Sequence, residues 1–287
     1  MKRPSTAIAY LDAPRLLRAL SAGIGHVFQR REYLNRINVF PVPDGDTGTN
    51  MVFSFKVIQD AVQGAHGLSL KQLMEKVARA SLDGSRGNSG AIVAQFFQGV
   101  SDSAGELTRF TTYTFSKAIS QGSSYAHDAL SNPREGTILT VIAEFADSVA
   151  RHAAEMRDGD FATLLEGALA RSQIALDNTR EQLDVLRKAG VVDAGAKGFV
   201  ALIDGMYRHL VHGEVADEPD LSVLHADEAA VAMAGSDEDS EYRYCTECLV
   251  KGTDIDRRKL REALSELGDS LVLAGTKRKA KVHVHVN

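Results

Sequence analysis

Apolar residues recur at helical spacing through most of the first 212 residues, and four glycine-rich loops interrupt them, each leading straight into a new helical stretch. Few folds accommodate that combination. The loops are Asp44-Gly45-Asp46-Thr47-Gly48-Thr49-Asn50, Gly84-Ser85-Arg86-Gly87-Asn88-Ser89-Gly90, Pro133-Arg134-Glu135-Gly136-Thr137 and Asp193-Ala194-Gly195-Ala196-Lys197-Gly198. In the first stretch Leu16, Leu17, Leu20, Ile24, Val27 and Phe28 recur at helical spacing behind Pro14, which suits a first helical turn. Further helices are expected at roughly 47–64, 70–82, 89–101, 113–130, 137–155, 160–181 and 195–211, an all-α domain of eight helices over residues 1–212. If these helices lie antiparallel about one axis, the loops gather at one end and present backbone N–H groups to an anion.

The segment from Glu214 to Glu241 holds ten Asp/Glu and no Lys/Arg, so the net charge of −5 hides a remainder of about +5. Residues 213–241 read as a solvated acidic linker. A weak positive balance without a basic stripe interleaved with aromatics gives no footing for nucleic-acid binding. No stretch approaches the roughly 20 apolar residues of a membrane span, and Met1-Lys2-Arg3-Pro4 runs into a mixed segment rather than an apolar signal core, so a cytoplasmic protein is expected. After the linker come a strand over Tyr242–Val250, a helix over Asp254–Leu267 and strands over Ser270–Gly275 and Ala280–Val286. In the last, Val282 and Val284 alternate with His283 and His285. This is the start of an α+β domain over 242–287. Chains of that size seldom fold alone, so the domain reads as incomplete. Lys277-Arg278-Lys279 reads as a solvated hairpin turn.

Asn38-Val39-Phe40-Pro41-Val42-Pro43-Asp44-Gly45-Asp46 is the stretch richest in chemistry. Two prolines stiffen the approach, and Gly45 permits a bend on which two carboxylates can converge. Mg²⁺ favours one or two carboxylates completed by substrate phosphates, a role that Asp44 and Asp46 fit, with Asn38 a third oxygen donor. The competing reading is a surface turn in which Asp46 merely caps the following helix. Gly87-Asn88-Ser89-Gly90, opening another helix beside Arg86, can hold a phosphate on its N–H groups or be an ordinary capped start. Cys245 and Cys248 form a C-x-x-C pair, too few for a disulfide framework. Cys245, His283 and His285 on adjacent strands could bind Zn²⁺, or be a reduced thiol beside a solvated histidine face.

Taken together, Asn38–Met51, Arg86–Gly90, Glu135–Val141 and Asp193–Gly198 resemble the L-subunit domain of dihydroxyacetone kinase, and more closely its relative, the ATP-binding subunit of bacterial fatty acid kinase. The resemblance covers about residues 10–212. It implies an antiparallel eight-helix barrel with ATP or ADP and two Mg²⁺ at one rim. Asp44 and Asp46 match the metal-binding and catalytic aspartates, and Asn38 stands near a third aspartate of the dihydroxyacetone enzymes. Thr47, Thr49, Asn50, Asn88, Ser89, Gly90, Thr137, Asp193 and Gly195 fall in stretches that line the nucleotide.

The resemblance extends to the middle domain of the fatty-acid branch, through Tyr244–Glu247 and His283–His285, and implies zinc on Cys245, His283 and His285. Cys248 departs from that pattern, and Asp83 is acidic where relatives tend to be apolar. The implied partner is a separate fatty-acid-binding protein that presents an acyl chain, and the product an acyl phosphate. Such a carboxyl, with a pKa near ~4.3, is already ionised and asks for no general base. The alternatives are the nucleotide-binding component of a dihydroxyacetone-type kinase and a nucleotide-binding scaffold without turnover. Monomer and homodimer both remain open.

Overall fold

Most of the long helices begin at a polar side chain that takes N–H groups the first turn leaves unpaired. Helix α1 (Ala13–Phe28) starts with Pro14 in its first turn, and the Asp12 carboxylate accepts the Arg15 N–H at 3.0 Å. A short α2 (Arg31–Arg36) follows, then α3 (Thr47–Val62), α4 (Leu70–Gly84) and α5 (Gly87–Ala104). Ser69 and Gln72 close a reciprocal capping box on α4. Next come α6 (Thr112–His127), α7 (Ile138–Glu155), α8 (Phe161–Gln182), the short α9 (Asp184–Ala189) and α10 (Ala194–His212). The computed structural model describes residues 7–156, 159–215 and 244–287, so most of the expected acidic linker lies outside the described residues.

Eight of these helices are long, and they close a ring. Each packs on its neighbour in sequence, and α10 packs back on α1. The closing seam is tight: a Cβ on Gly23 would lie 2.5 Å from the Leu202 carbonyl, and one on Gly205 would lie 2.8 Å from the Gly23 Cα. One continuous apolar core fills the ring, with Phe55, Phe110, Phe145, Phe161 and Phe199 fully buried. A two-residue strand pair, β1 (Leu11–Asp12) with β2 (Arg109–Phe110), ties the entry of α1 to the α5–α6 connection. That pair and the six-residue helices α2 and α9 are too short for either period to show in a sequence.

The C-terminal region is an antiparallel sheet, β3 (Tyr244–Lys251), β4 (Asp269–Gly275) and β5 (Lys279–Val286), in the order β3-β5-β4, with α11 (Arg257–Leu264) between β3 and β4. One face buries Leu271, Leu273, Val282 and Val284 under Ile255, Leu260 and Leu264. The opposite face is not left to solvent. Val272 and Ala274 pack against Leu82, Ala91, Ala129 and Leu130 of the helical ring. The stretch after α6 runs antiparallel beside β4, with a bridge between Leu130 and Val272 and a bond from the Leu273 N–H to the Ala129 carbonyl at 2.9 Å.

This docking corrects the expectation that Lys277-Arg278-Lys279 is wholly a solvated turn. Lys277 is exposed beside Asp254, whereas Lys279 opens β5 and forms an ion pair with Asp83 across the junction. The acidic Asp83 thereby acquires a partner.

Candidate functional site

In a ring of alternating up and down helices, every second helix starts at the same end. Those helices are α3, α5, α7 and α10, and the four glycine-rich loops precede them. Their starts touch. Gly87, with φ +60°, sits so close to Asn50 that a Cβ would meet its Nδ2 at 2.9 Å, which joins the start of α5 to the first turn of α3. A Cβ on Gly195 would lie 2.5 Å from the Ser89 hydroxyl, which joins α10 to α5. The Asp193 carboxylate accepts the Ala196 N–H at 2.7 Å and also the Ile138 N–H, which joins α10 to α7.

At the head of α3, Asp46 makes no side-chain cap; its carboxylate turns instead to Asp44 and Asn50. Loss of water around Asp46, followed by the Asp44 charge, pushes it up to about 7. Burial likewise raises Asp44 above the usual carboxylate range, against hydrogen bonds from Asp46. Two carboxylates in contact repel one another once both are ionised, and a divalent cation is the chemistry that relieves this.

The neighbours hold the loop. Buried Asn38 donates to the Val42 carbonyl at 2.8 Å, while its Oδ1 accepts the Thr47 N–H at 2.8 Å and the Thr47 hydroxyl. Both lone pairs of that oxygen are engaged, so Asn38 braces the turn. Thr49 is clamped by Asn35, which accepts its N–H at 3.0 Å and donates to its hydroxyl at 2.9 Å. Sequence reasoning missed Asn35, which lies on α2 ahead of the bend and has no motif of its own.

Along the α5 start, the Arg86 guanidinium lies 4.3 Å from the centre of the Phe53 ring, and the Arg86 backbone N–H donates to the Ser54 hydroxyl. The buried Oδ1 of Asn88 has no hydrogen-bond partner among the described residues, an acceptor that suits a ligand donor. Thr137 caps α7, taking the Leu139 N–H at 3.3 Å. Gly90 is buried against Ser54. The carboxylate pair, the converging N-termini and the orphaned amide together form a donor set that fits a magnesium nucleotide.

The docked sheet presents its polar face to this rim. His285 and His283 lie near enough that a proton gained by either ring would favour ionised Asp44 and Asp46 respectively, against the burial that raises both. Their rings are 5.3 Å apart. Glu247, opposite His283 in the strand register, accepts the Gly87 N–H at 3.0 Å, lies 3.1 Å from His283 Nδ1 and pairs with Lys281 at 3.2 Å. Burial raises its pKa, but the His283 bond, the Lys281 ammonium and the Gly87 N–H outweigh it and bring the carboxyl down to about 2. Sequence reasoning quoted Glu247 only as part of a segment, although its place two residues after Cys245 sets both on one face of the strand.

Zinc finds no support. Among the described residues, no group of three His, Cys, Asp or Glu side chains is placed to hold a metal, and His283 Nδ1 faces Glu247 instead. The register sets Cys245 opposite His285, but the Cys245 side chain lies outside the described residues. Cys248 is an exposed free thiol.

Comparison with known proteins agrees with this architecture. The profile of the DAK2 domain matches residues 41–208. The chain belongs to the DAK2 domain family. A second profile, that of the middle domain of FakA-like fatty acid kinase proteins, matches residues 241–287. Protein YloV of Bacillus subtilis is 33% identical over 290 residues, covering 97% of this chain and 52% of YloV. An uncharacterized protein of Staphylococcus saprophyticus is 32% identical over 286 residues, covering 97% and 51%. The chain thus spans about half the length of the curated relatives it matches. Among solved structures, the dihydroxyacetone kinase from C. freundii in complex with AMP-PNP and Mg²⁺ superposes with a TM-score of 0.51 at 15% identity, over 72% of this chain and 36% of that one. At that identity the likeness speaks for the fold of this DAK2-domain chain. Among the described residues no helix is long and apolar enough to cross a membrane.

Proposed function

We propose that this chain is the nucleotide-binding part of a kinase that phosphorylates the carboxylate of a fatty acid held by a separate binding protein. The observation that carries the proposal is the meeting of the Asp44–Asp46 pair with the N-termini of α3, α5, α7 and α10 at one rim. The match of residues 241–287 to a fatty-acid-kinase middle domain supports the acyl acceptor over a small ketose.

Magnesium held by Asp44 and Asp46 would neutralise charge on the phosphates as transfer proceeds. The chain's own contribution is placement. The N–H groups at the starts of α5, α7 and α10 and the Asn88 amide receive and orient the nucleotide. Asn38 and Asn35 hold the aspartate turn rigid. The acceptor carboxylate oxygen attacks the γ-phosphorus, the bond to the β–γ bridging oxygen breaks, and ADP departs. No proton has to leave the acceptor, which agrees with a rim built from amides, carboxylates and histidines rather than around one dedicated base.

Titration calorimetry with Mg·ADP tests the reading. Wild type should bind, and Asp46→Ala should weaken binding at least about tenfold, about 1.4 kcal/mol. Equal affinity in the two proteins would overturn the proposal. Transfer to dihydroxyacetone, but not to a protein-bound fatty acid, would redirect it to the ketose.

A further inference from the structure

The sheet docks on the ring through several contacts, and among the described residues Glu247 touches both the start of a rim helix and a histidine facing the aspartates. Glu247 Oε1 lies 3.0 Å from the Gly87 nitrogen and 3.1 Å from His283 Nδ1, and Oε2 lies 3.2 Å from Lys281 Nζ. Lys281 in turn donates to the Ser85 carbonyl, just before α5. His283 is 4% exposed, so its ring cannot turn away without repacking. We propose that Glu247 is the positioning residue of the rim: it fixes the His283 imidazole relative to the Asp44–Asp46 pair and registers the sheet against the N-terminus of α5. The proposal rests on the nucleotide reading for its catalytic meaning and on geometry alone for its structural content.

The chemistry of the contact is directional. A carboxylate only accepts, so Nδ1 must be the donor, and the neutral ring then carries its proton there and keeps Nε2 as the acceptor nitrogen. Remove the carboxylate, and nothing in this contact selects that tautomer. The other junction contacts, such as Asp83 with Lys279 and Gln95 with the Gly275 carbonyl at 3.3 Å, hold the sheet in place without touching His283. Positioning and docking can therefore be separated by experiment.

The test uses the full chain with ¹⁵N-labelled histidine, comparing wild type, Glu247→Ala, Glu247→Gln and Asp83→Ala. Long-range ¹H–¹⁵N spectra report the His283 tautomer, assigned with a His283→Gln control, and Mg·ADP titration reports the nucleotide site. Wild type should show the Nδ1–H form. Glu247→Gln, which keeps an acceptor oxygen in place, should retain it. Glu247→Ala should show a mixture of tautomers. Asp83→Ala should leave the ring unchanged. His283 signals in Glu247→Ala identical to wild type would overturn the proposal, as would an equal disturbance in Asp83→Ala, which would make docking rather than Glu247 the cause. Absence of Mg·ADP binding in wild type would remove the nucleotide reading and leave the tautomer result to stand by itself.

Discussion

Asp46 stands at the head of α3 without capping it, and a residue that declines the cap its position offers has another use. Asp193 does the opposite. It caps α10, also takes the Ile138 N–H, and is buried at 6% exposure. Burial raises its pKa from 3.8 to about 6, against the two backbone bonds. A raised carboxyl contributes stability that is present in full below pH 4 and is lost as pH rises through 6, up to about 3 kcal/mol. Replacing the ionisable group removes that slope. The stability of Asp193→Asn relative to wild type, measured by urea denaturation, should therefore improve steadily from pH 4 to pH 7; a constant difference would show that Asp193 does not titrate in that window.

At the scale of elements, the ring depends on how closely α1 and α10 approach. Gly23 and Gly205 lie almost in contact at the closing seam, and no side chain fits between them. Gly23→Val should cost about 1–3 kcal/mol by overpacking, read as a lowered urea midpoint, while preserving helix content by circular dichroism. The capping residues belong to this scale too. Ser69→Ala removes the hydroxyl half of the capping box on α4, leaving the residue-69 N–H to Gln72, and should cost about 1 kcal/mol, without change in Mg·ADP affinity, since α4 starts at the opposite end from the rim.

For the whole molecule, the sheet explains how some 44 described residues with a small core of their own hold a fold. One face is covered by α11 and the other by the ring, so the second face of the sheet is buried by docking. Exposed ion pairs contribute little, so Lys279→Ala should cost no more than about 1 kcal/mol. The apolar seam matters more. Val272 is 1% exposed, and Val272→Asp would place a charge among Leu82, Ala91 and Leu130. Hydrogen exchange should then accelerate sharply across β3, β4 and β5 while α7, α8 and α10 remain protected; equal acceleration everywhere would mean that ring and sheet unfold as one unit.

The eight long helices were legible because each spans four or more turns, long enough for apolar spacing to repeat, and their boundaries fall within a few residues of the expected ones. The short α2 and α9 and the two-residue β pairing were not, since six residues or fewer hold no period. The aspartate bend was legible from its residue types, and Asn35, which clamps Thr49 from a separate helix, was not. The sequence by itself determined which long stretches are helix or strand and that four loops rich in glycine each open a helix, because those properties are local. Tertiary structure alone decided that the loops meet at one rim, that Asp83 answers Lys279, and that Glu247 reaches both Gly87 and His283. Those contacts join residues up to 196 positions apart, and only ring closure and sheet docking bring such residues together.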